Sequence, residues 1–486
     1  MPEKPETHFT RVGIINLFYR VLSAPISFIF TFLVARYLSS PPYGVTYFAT
    51  WQTIFVFATG YFVIPADLFS LITSRYAAEK MNVGGIIIMN IISGSIAGLI
   101  FALLVPYYMT LTSLHVPIYF YASISIIALT YVMRTTSAIT TGKTPKVVGL
   151  SAFLFQIVRL LVGLLLMFVF NLSILAVILA YDLGYLTQIL TNMFYIRSNL
   201  RVDFNVAFKA VRKSVVFLAN YLQYILEASI VWIALAITFS DRVVAYFESA
   251  IIISNIVLWS QAAYSGLILR LSESRDPEAI TTALKLYSLA GSLFLLLVGV
   301  DGLGLLYKLR PEYVEGVYAM YVLSFSNYLR GFYQIFYQGI TMADSTLSVY
   351  SKDEFKGYTA KLTILNSLMS GIGIAVSTVL IYFFRYLPPR YIALLMTIGI
   401  IVNSVTMIVN SYNLSSKIYK FKVPKKEILV PLITAILLVA IFPRPTSYLG
   451  MIIYGLLAFS AFALINLIFN RYARSLVSAA LKELIG

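Results

Sequence analysis

A polytopic all-α membrane protein is the fold class this sequence predicts, and three observations carry the prediction. Apolar residues make up 60% of the 486-residue chain, the mean hydropathy is +0.86, and 12% of residues are charged. A soluble domain lacks the interior to hide so much apolar surface. The apolar residues fall in runs of about twenty, the length a helix needs to cross the hydrocarbon core. Short polar turns separate the runs, and every other turn is rich in lysine and arginine.

Taken in order, the runs predict fourteen spans: 12–37, 44–71, 84–108, 117–137, 148–170, 173–196, 214–239, 243–268, 283–306, 316–340, 362–384, 391–413, 427–442 and 448–469. The thirteenth is the shortest. The first follows MPEKPETHFTR and is too long for the apolar region of a cleavable signal. Pro25, Pro65 and Pro106 fall where spans bend. Gly94 and Gly98 form a small-xxx-small pair suited to helix packing. No polar domain interrupts the series, so the helices must pack into one bundle.

Lysine and arginine set the orientation. With the N-terminus inside, the inner segments and adjoining helix ends hold 26 of the 36, and the outer turns hold 7: Arg36, Arg242, Lys308, Arg310, Arg385, Arg390 and Arg444. That bias places both termini in the cytoplasm of a multi-pass protein of the cell membrane and calls for an even number of spans. Two basic inner connectors, 197–213 and 414–426, divide the chain. The predicted units are an N-lobe over 1–200, a C-lobe over 201–413 and a terminal helix pair over 414–486. The first connector is partly amphipathic and suits the membrane interface. Tyr47-Phe48-Ala49 and Tyr246-Phe247-Glu248, 199 residues apart, each follow an outer hairpin and hint at a repeat of the two lobes.

Composition also excludes functions. Cysteine is absent, so there is no disulfide, thiolate metal site or cysteine nucleophile. The two histidines, His8 and His115, lie outside the spans and leave little scope for imidazole catalysis. No metal or cofactor is implied. The loops are too short for the catalytic domain of a membrane glycosyltransferase or polymerase, so the chain is predicted not to be an enzyme. The net charge of +16 reads as topogenic charge that also attracts anionic lipid, or as a cationic cavity. Basic residues dispersed through loops do not suit nucleic acid.

Charges inside the spans carry the functional expectation, because each costs about 3 kcal/mol or more in lipid and must be paired or face water. Arg20, Arg159 and Arg330 lie deep in the first, fifth and tenth spans. Asp67, Asp182 and Glu227 are the carboxylates available for charge pairing or ion coupling. Arg159 and Asp182 stand 12 and 11 residues from Asn171, hence at nearly equal depth on adjacent helices, and an ion pair is expected if their faces meet. Such a pair would lock the bundle or handle substrate. Glu227 is a possible partner for Arg20 across the lobe interface. Glu248 and Asp301 lie nearer outer ends, within reach of headgroups. Arg330 sits in NYLRGFYQIFYQG, whose amides and tyrosines suit a cavity wall better than lipid. A predominance of deep arginines suits a phosphate-bearing substrate, whose oxygens match the guanidinium fork.

The stretch VARYLSSPPYGVTYFATW at 34–51 resembles the first outer hairpin of polysaccharide and oligosaccharide flippases (Wzx-type, polysaccharide transporter family). These belong to the multidrug/oligosaccharidyl-lipid/polysaccharide (MOP) superfamily. Ala35, Arg36, Leu38, Pro41, Tyr43 and Gly44 match the family pattern; Ser39 stands where glycine is usual, and the spacing from proline to tyrosine is one residue short. YILEASIVWIALAITFSDRVVAYFESA, with Glu227, is similar to the family's second-lobe entry. The resemblance implies a V-shaped carrier that moves a polyprenyl phosphate- or diphosphate-linked oligosaccharide to the outer leaflet by alternating access. It also implies a cationic central cavity, membrane lipids and glycan-assembly enzymes as partners, and a monomer. Arg20, Arg159 and Arg330 are the expected substrate contacts on grounds of depth, not motif. Within the same superfamily the alternatives are an exporter of organic cations or drugs, or a flippase for a lipid-linked peptidoglycan precursor. The cation reading expects Glu227, Asp67 and Asp182 to matter instead.

Overall fold

The computed structural model describes residues 5–39, 41–43, 47, 50–51, 54–55, 57–111, 114–197, 200–274, 276–348, 351 and 356–485. Those residues are built from helices. The first six long ones are α1 Pro5–Ser39, α2 Ile64–Ala78, α3 Gly84–Leu111, α4 Ile124–Lys143, α5 Lys146–Leu164 and α6 Ser173–Ile196. A connector helix, Phe204–Ser214, leads to α7 Leu218–Thr238, α8 Asp241–Ser254 and α9 Pro277–Leu309. Then come α10 Val317–Ala343, α11 Tyr358–Phe383, α12 Pro389–Ile418, α13 Lys425–Ile441, α14 Tyr448–Phe469 and α15 Arg471–Ile485. Helix α8 continues through a 3₁₀ stretch, Asn255–Tyr264, into a final helical piece, Leu267–Ser274.

Local chemistry explains many of the ends. Asp203 caps the connector helix by accepting from the Val206 amide at 3.1 Å. Asp276 caps α9 through the Glu278 amide at 2.9 Å, with Pro277 in the first turn where a missing N–H is harmless. Pro65 likewise starts α2, after a π-helical turn at Phe57–Tyr61, whereas Pro25 and Pro106 lie inside α1 and α3.

Among the described residues, twelve segments are long and apolar enough to cross a membrane. Two of the fourteen expected spans fall outside the twelve, although both form helices. They are α10, whose polar face lowers its hydropathy, and α13, whose 17 residues reach only about 25 Å. Several boundaries also move. Helix α2 runs to Ala78 rather than 71, which draws Arg75 out of a loop and into a helix, and α4 runs to Lys143 rather than 137, two turns past Arg134.

The exterior is apolar. On α3, Ile92, Ile96, Leu99 and Leu103 face outward, and Leu103 is 81% exposed, as a lipid-facing helix requires. One core draws on α1–α6, including Phe30, Trp51, Tyr131 and Tyr181; a second draws chiefly on α7–α12, including Phe247, Tyr287 and Tyr328. A small cluster joins Leu296 and Val300 of α9 to Leu438 of α13 and Phe462 of α14. Gly94 and Gly98 sit against Tyr131 and Ile124, so the small-residue pair serves the α3–α4 contact. In the hairpin after α1 the Tyr43 hydroxyl donates to the Asn171 carbonyl at 2.9 Å, and the Tyr37 and Tyr43 hydroxyls stand 3.1 Å apart. These tyrosines fasten the first turn to the turn between α5 and α6. Gly44 of that motif and Phe48 and Ala49 of the repeat lie outside the described residues.

The α1–α6 and α7–α12 halves are tied where α1 begins and α2, α8 and α10 end. Arg75, 4% exposed, donates through one guanidinium nitrogen to the Thr341 carbonyl and, at 2.8 Å, to the Asp344 carbonyl. Its Nε meets Glu79 at 2.9 Å. Lys213 of the connector helix donates to the Thr346 carbonyl, in the turn that follows α10, at 2.6 Å. Asn16 donates to both the Pro145 carbonyl and the Ser265 hydroxyl. A helix C-terminus exposes unpaired carbonyls that favour cations, so Arg75 latches α10 across the seam while Lys213 holds the turn beyond it. A buried charged donor of this kind contributes about 2 kcal/mol. Arg75→Met is therefore expected to loosen this end of the bundle. With spin labels on Asn82→Cys and Glu273→Cys in the otherwise cysteine-free chain, the inter-label distance should lengthen and broaden; an unchanged distribution would show that Arg75 is no latch.

Candidate functional site

Among the described residues two sizeable cavities lie between the halves, and Asn255 borders both. The larger, about 710 Å³, lies nearer the seam. Helix α1 lends it Asn16 and Arg20, α4 lends Arg134 and Thr141, α8 with its 3₁₀ stretch lends Trp259 and Gln261, and α10 lends Gln334 and Gln338. Arg20 and Arg134 supply positive charge, and no carboxylate borders this cavity among the described residues. Among the described residues Arg20 makes no hydrogen bond or ion pair, so its charge is available to the cavity. Arg134 meets Asp67 of α2 at 3.1 Å yet keeps 46% of its side chain exposed.

The smaller cavity, about 360 Å³, is bordered by Tyr61, Tyr224, Glu227, Glu248, Asn327 and Arg330 among others. Its floor is a polar network in the α7–α12 half. The Arg330 guanidinium donates to both Glu227 oxygens at 2.6 and 2.7 Å, and its Nε donates to the Ser404 hydroxyl at 2.9 Å. Asn403 also donates to Glu227, and Ser370 does so at 3.2 Å. Two backbone approaches make this possible. Gly373 and Gly399 let α11 and α12 touch, because a Cβ at either would strike the other's carbonyl. Gly331, beside Arg330, lets the Tyr287 ring lie on α10. The α10 residues around Arg330 thus do border a cavity, as their polarity predicted.

Three expectations about charge pairing are corrected. Glu227 pairs with Arg330 of its own half, so it does not neutralise Arg20 across the interface. Arg159 and Asp182 do not pair. Their depths agree, for Tyr181, next to Asp182, lies 4.8 Å from the Arg159 guanidinium. Their faces differ: Asp182 accepts from Ser125 of α4 at 2.6 Å, while Arg159 sits among Phe30, Phe155 and Tyr181 and donates to Ser27 at 3.1 Å. Aromatic faces offer a cation a negative quadrupole without a counter-ion, and this cage takes the place of the pair. Third, Glu248 borders the smaller cavity rather than a surface of headgroups.

Of the six charged residues singled out in the sequence, then, Arg20 borders the larger cavity and Glu227 and Arg330 the smaller. Asp67 reaches the larger one through Arg134, and Arg159 and Asp182 are committed within the α1–α6 half. Sequence reasoning missed Arg134 and Arg75, because each lay near a span end set one or two turns too early. Gln334 and Gln338 were legible only as part of the polar 327–339 stretch expected to line a cavity, and Gln261 was not singled out. The signal was present in the i, i+4 spacing of Gln334 and Gln338. Among the described residues no group of three or more histidines and carboxylates is placed to hold a metal ion.

No protein-family model and no curated protein matches this chain. Solved structures do. A multidrug resistance MATE family transporter of the MOP superfamily in an outward-facing conformation superposes with a TM-score of 0.59 at 14% identity, over 85% of this chain and 97% of that one. MATE in complex with MaD5 gives 0.62 at 14% identity over 86% and 97%. A MOP superfamily transporter from Pyrococcus furiosus, described as having a binding pocket of reverse polarity that suggests a different function, gives 0.56 at 14% identity over 84% and 96%. The chain has this MATE-like transporter fold and is a multi-pass membrane protein.

The Glu227–Arg330 pair generates a test of the site's architecture. Removing one member of a buried pair leaves the other charge uncompensated, a loss of about 3–5 kcal/mol, whereas removing both is far milder. Glu227→Gln should lower the thermal unfolding midpoint of the purified protein markedly, and adding Arg330→Met should recover most of the drop. Equal losses for the single and double variants would mean that the pair is not what holds this region.

Proposed function

We propose that the chain is an alternating-access transporter that carries a phosphate-bearing polar substrate, and specifically a polyprenyl phosphate- or diphosphate-linked oligosaccharide, between membrane leaflets. The observation that carries this reading is the larger cavity, with two guanidiniums on its wall and no bordering carboxylate among the described residues. Such a cavity attracts anions and repels organic cations, and arginine forks match phosphate oxygens. The apolar outer faces of the helices suit a lipid tail that stays in the bilayer while the head group enters. The 26-to-7 distribution of cations supports the seam end as the cytoplasmic one, so the described conformation is read as closed inside. Arg20 remains in the proposal as a substrate contact and Arg134 joins it. Arg330 and Arg159 act through their own partners, the first by holding α7, α10 and α12 together and the second by fixing α1 to α5 and α6.

A second reading, export of an organic cation, is favoured by one observation: Glu248 borders the smaller cavity and, among the described residues, makes no hydrogen bond or ion pair. The two readings part on mutation. Arg20→Ala and Arg134→Ala should each cut delivery of lipid-linked glycan to the outer face about tenfold or more, the loss of one charge-assisted contact. Glu248→Gln should leave delivery near wild type. Full delivery with both arginines removed, or loss confined to Glu248→Gln, would reject the phosphate reading.

A further inference from the structure

The walls of the larger cavity differ in chemistry. Both cations, Arg20 and Arg134, come from the α1–α6 half. The facing wall, from α8 and α10, is neutral and rich in amides: Asn255, Gln261, Gln334 and Gln338, with Trp259 among them. The backbone arranges this. Gln334 and Gln338 are four residues apart and share one face of α10. The stretch Asn255–Tyr264 is 3₁₀ over ten residues, longer than such turns usually run. At three residues per turn, Asn255, Leu258, Gln261 and Tyr264 eclipse one another, and all four border the cavity. An α-helical continuation would have spread them around the axis.

These amides are also uncommitted. Among the described residues Gln261, Gln334 and Gln338 make no hydrogen bond, and the Gln338 side-chain oxygen is buried without a partner. An unmet buried acceptor costs free energy of the order of a lost hydrogen bond, so its retention in a side chain that borders a cavity points to a ligand reached by a small rotation of the amide. Asn16 and Ser265, on the same cavity, are by contrast bonded to each other across the seam.

We infer that Gln261, Gln334 and Gln338, with Trp259, form a sugar-reading wall opposite the arginines, and that it takes a neutral, hydroxyl-rich glycan. Each amide offers both donors and an acceptor, matching hydroxyls that do both. Trp259, braced edge-on by Phe294 at 6.4 Å, supplies the broad apolar surface on which a pyranose ring packs. The substrate is then held by its phosphates on one half and by its sugar on the other, so one molecule bridges the two bodies that must move. This inference rests on reading the arginine wall as a phosphate site, and the test separates the two.

Full-length protein in lipid nanodiscs is titrated with two probes, a bare prenyl diphosphate and the same prenyl diphosphate carrying a neutral disaccharide. In the wild type the glycosylated probe should bind at least fivefold more tightly. Gln334→Met and Gln338→Met, which keep side-chain length without the amide, should each erase most of that advantage while leaving the bare probe within twofold. Retained binding of the bare probe certifies a folded cavity. Arg20→Ala should weaken both probes together. A glycosylated probe that binds no better than the bare one, or glutamine variants that keep the full advantage or weaken both probes alike, overturns the sugar wall. A bare probe that fails to bind the wild type, beside a glycosylated one that still depends on the glutamines, overturns the phosphate reading and leaves the sugar wall standing. Failure of both probes overturns both.

Discussion

In a lipid solvent every buried charge needs a partner, an aromatic face or access to water, and this structure is arranged around the few charges it buries. The chelate between Arg330 and Glu227 is the clearest case. It draws α7, α10, α11 and α12 to one point through Ser370, Asn403 and Ser404. The glycines at 331, 373 and 399 exist in this geometry because the backbones must come close enough for those side chains to meet. Arg159 meets the same requirement differently, among three aromatic rings in the other half. Once these two arginines are satisfied within the protein, the charges left to face a cavity are Arg20, Arg134 and Glu248, and they fall in two different places.

That separation gives the interface between the halves its character. The larger cavity has cations on one wall and amides on the other, while the smaller cavity beyond Asn255 carries the Glu227–Arg330 pair and the Glu248 carboxylate. The seam is made of a different material. Arg75 holds backbone carbonyls at the end of α10 and Lys213 one in the turn just beyond it, contacts that are short-ranged. Helix α10 thus has three duties along its length: an ion pair at Arg330, amides at 334 and 338, and a capped end at 341–344. A displacement of this helix is felt at all three.

The helical class, nearly all of the spans and the polar character of α10 were legible in the sequence, because apolar run length and cation placement are local properties. Arg20 was legible for the same reason: it sits far inside the first run with no acid nearby in sequence. Arg134 and Arg75 were not, since the helices that carry them continue one or two turns past the point where hydropathy fades, α4 paired with α2 through Arg134 and Asp67 and α2 held to the other half through Arg75. Gln334 and Gln338 were readable only as polarity, and their meaning came from the open space in front of them.

The sequence by itself determined depth. A rise of about 1.5 Å per residue turns position in a run into height in the bilayer, and on that axis Arg159 and Asp182 do lie level. Only the tertiary structure decided direction, turning Asp182 to Ser125 and Arg159 to its aromatic cage, pairing Glu227 with Arg330, and leaving Arg20 open. The physical reason is that the rotation of a helix about its own axis costs almost nothing in lipid that is apolar on every side. It is set by which neighbours fit, and those neighbours lie tens to hundreds of residues away in the chain.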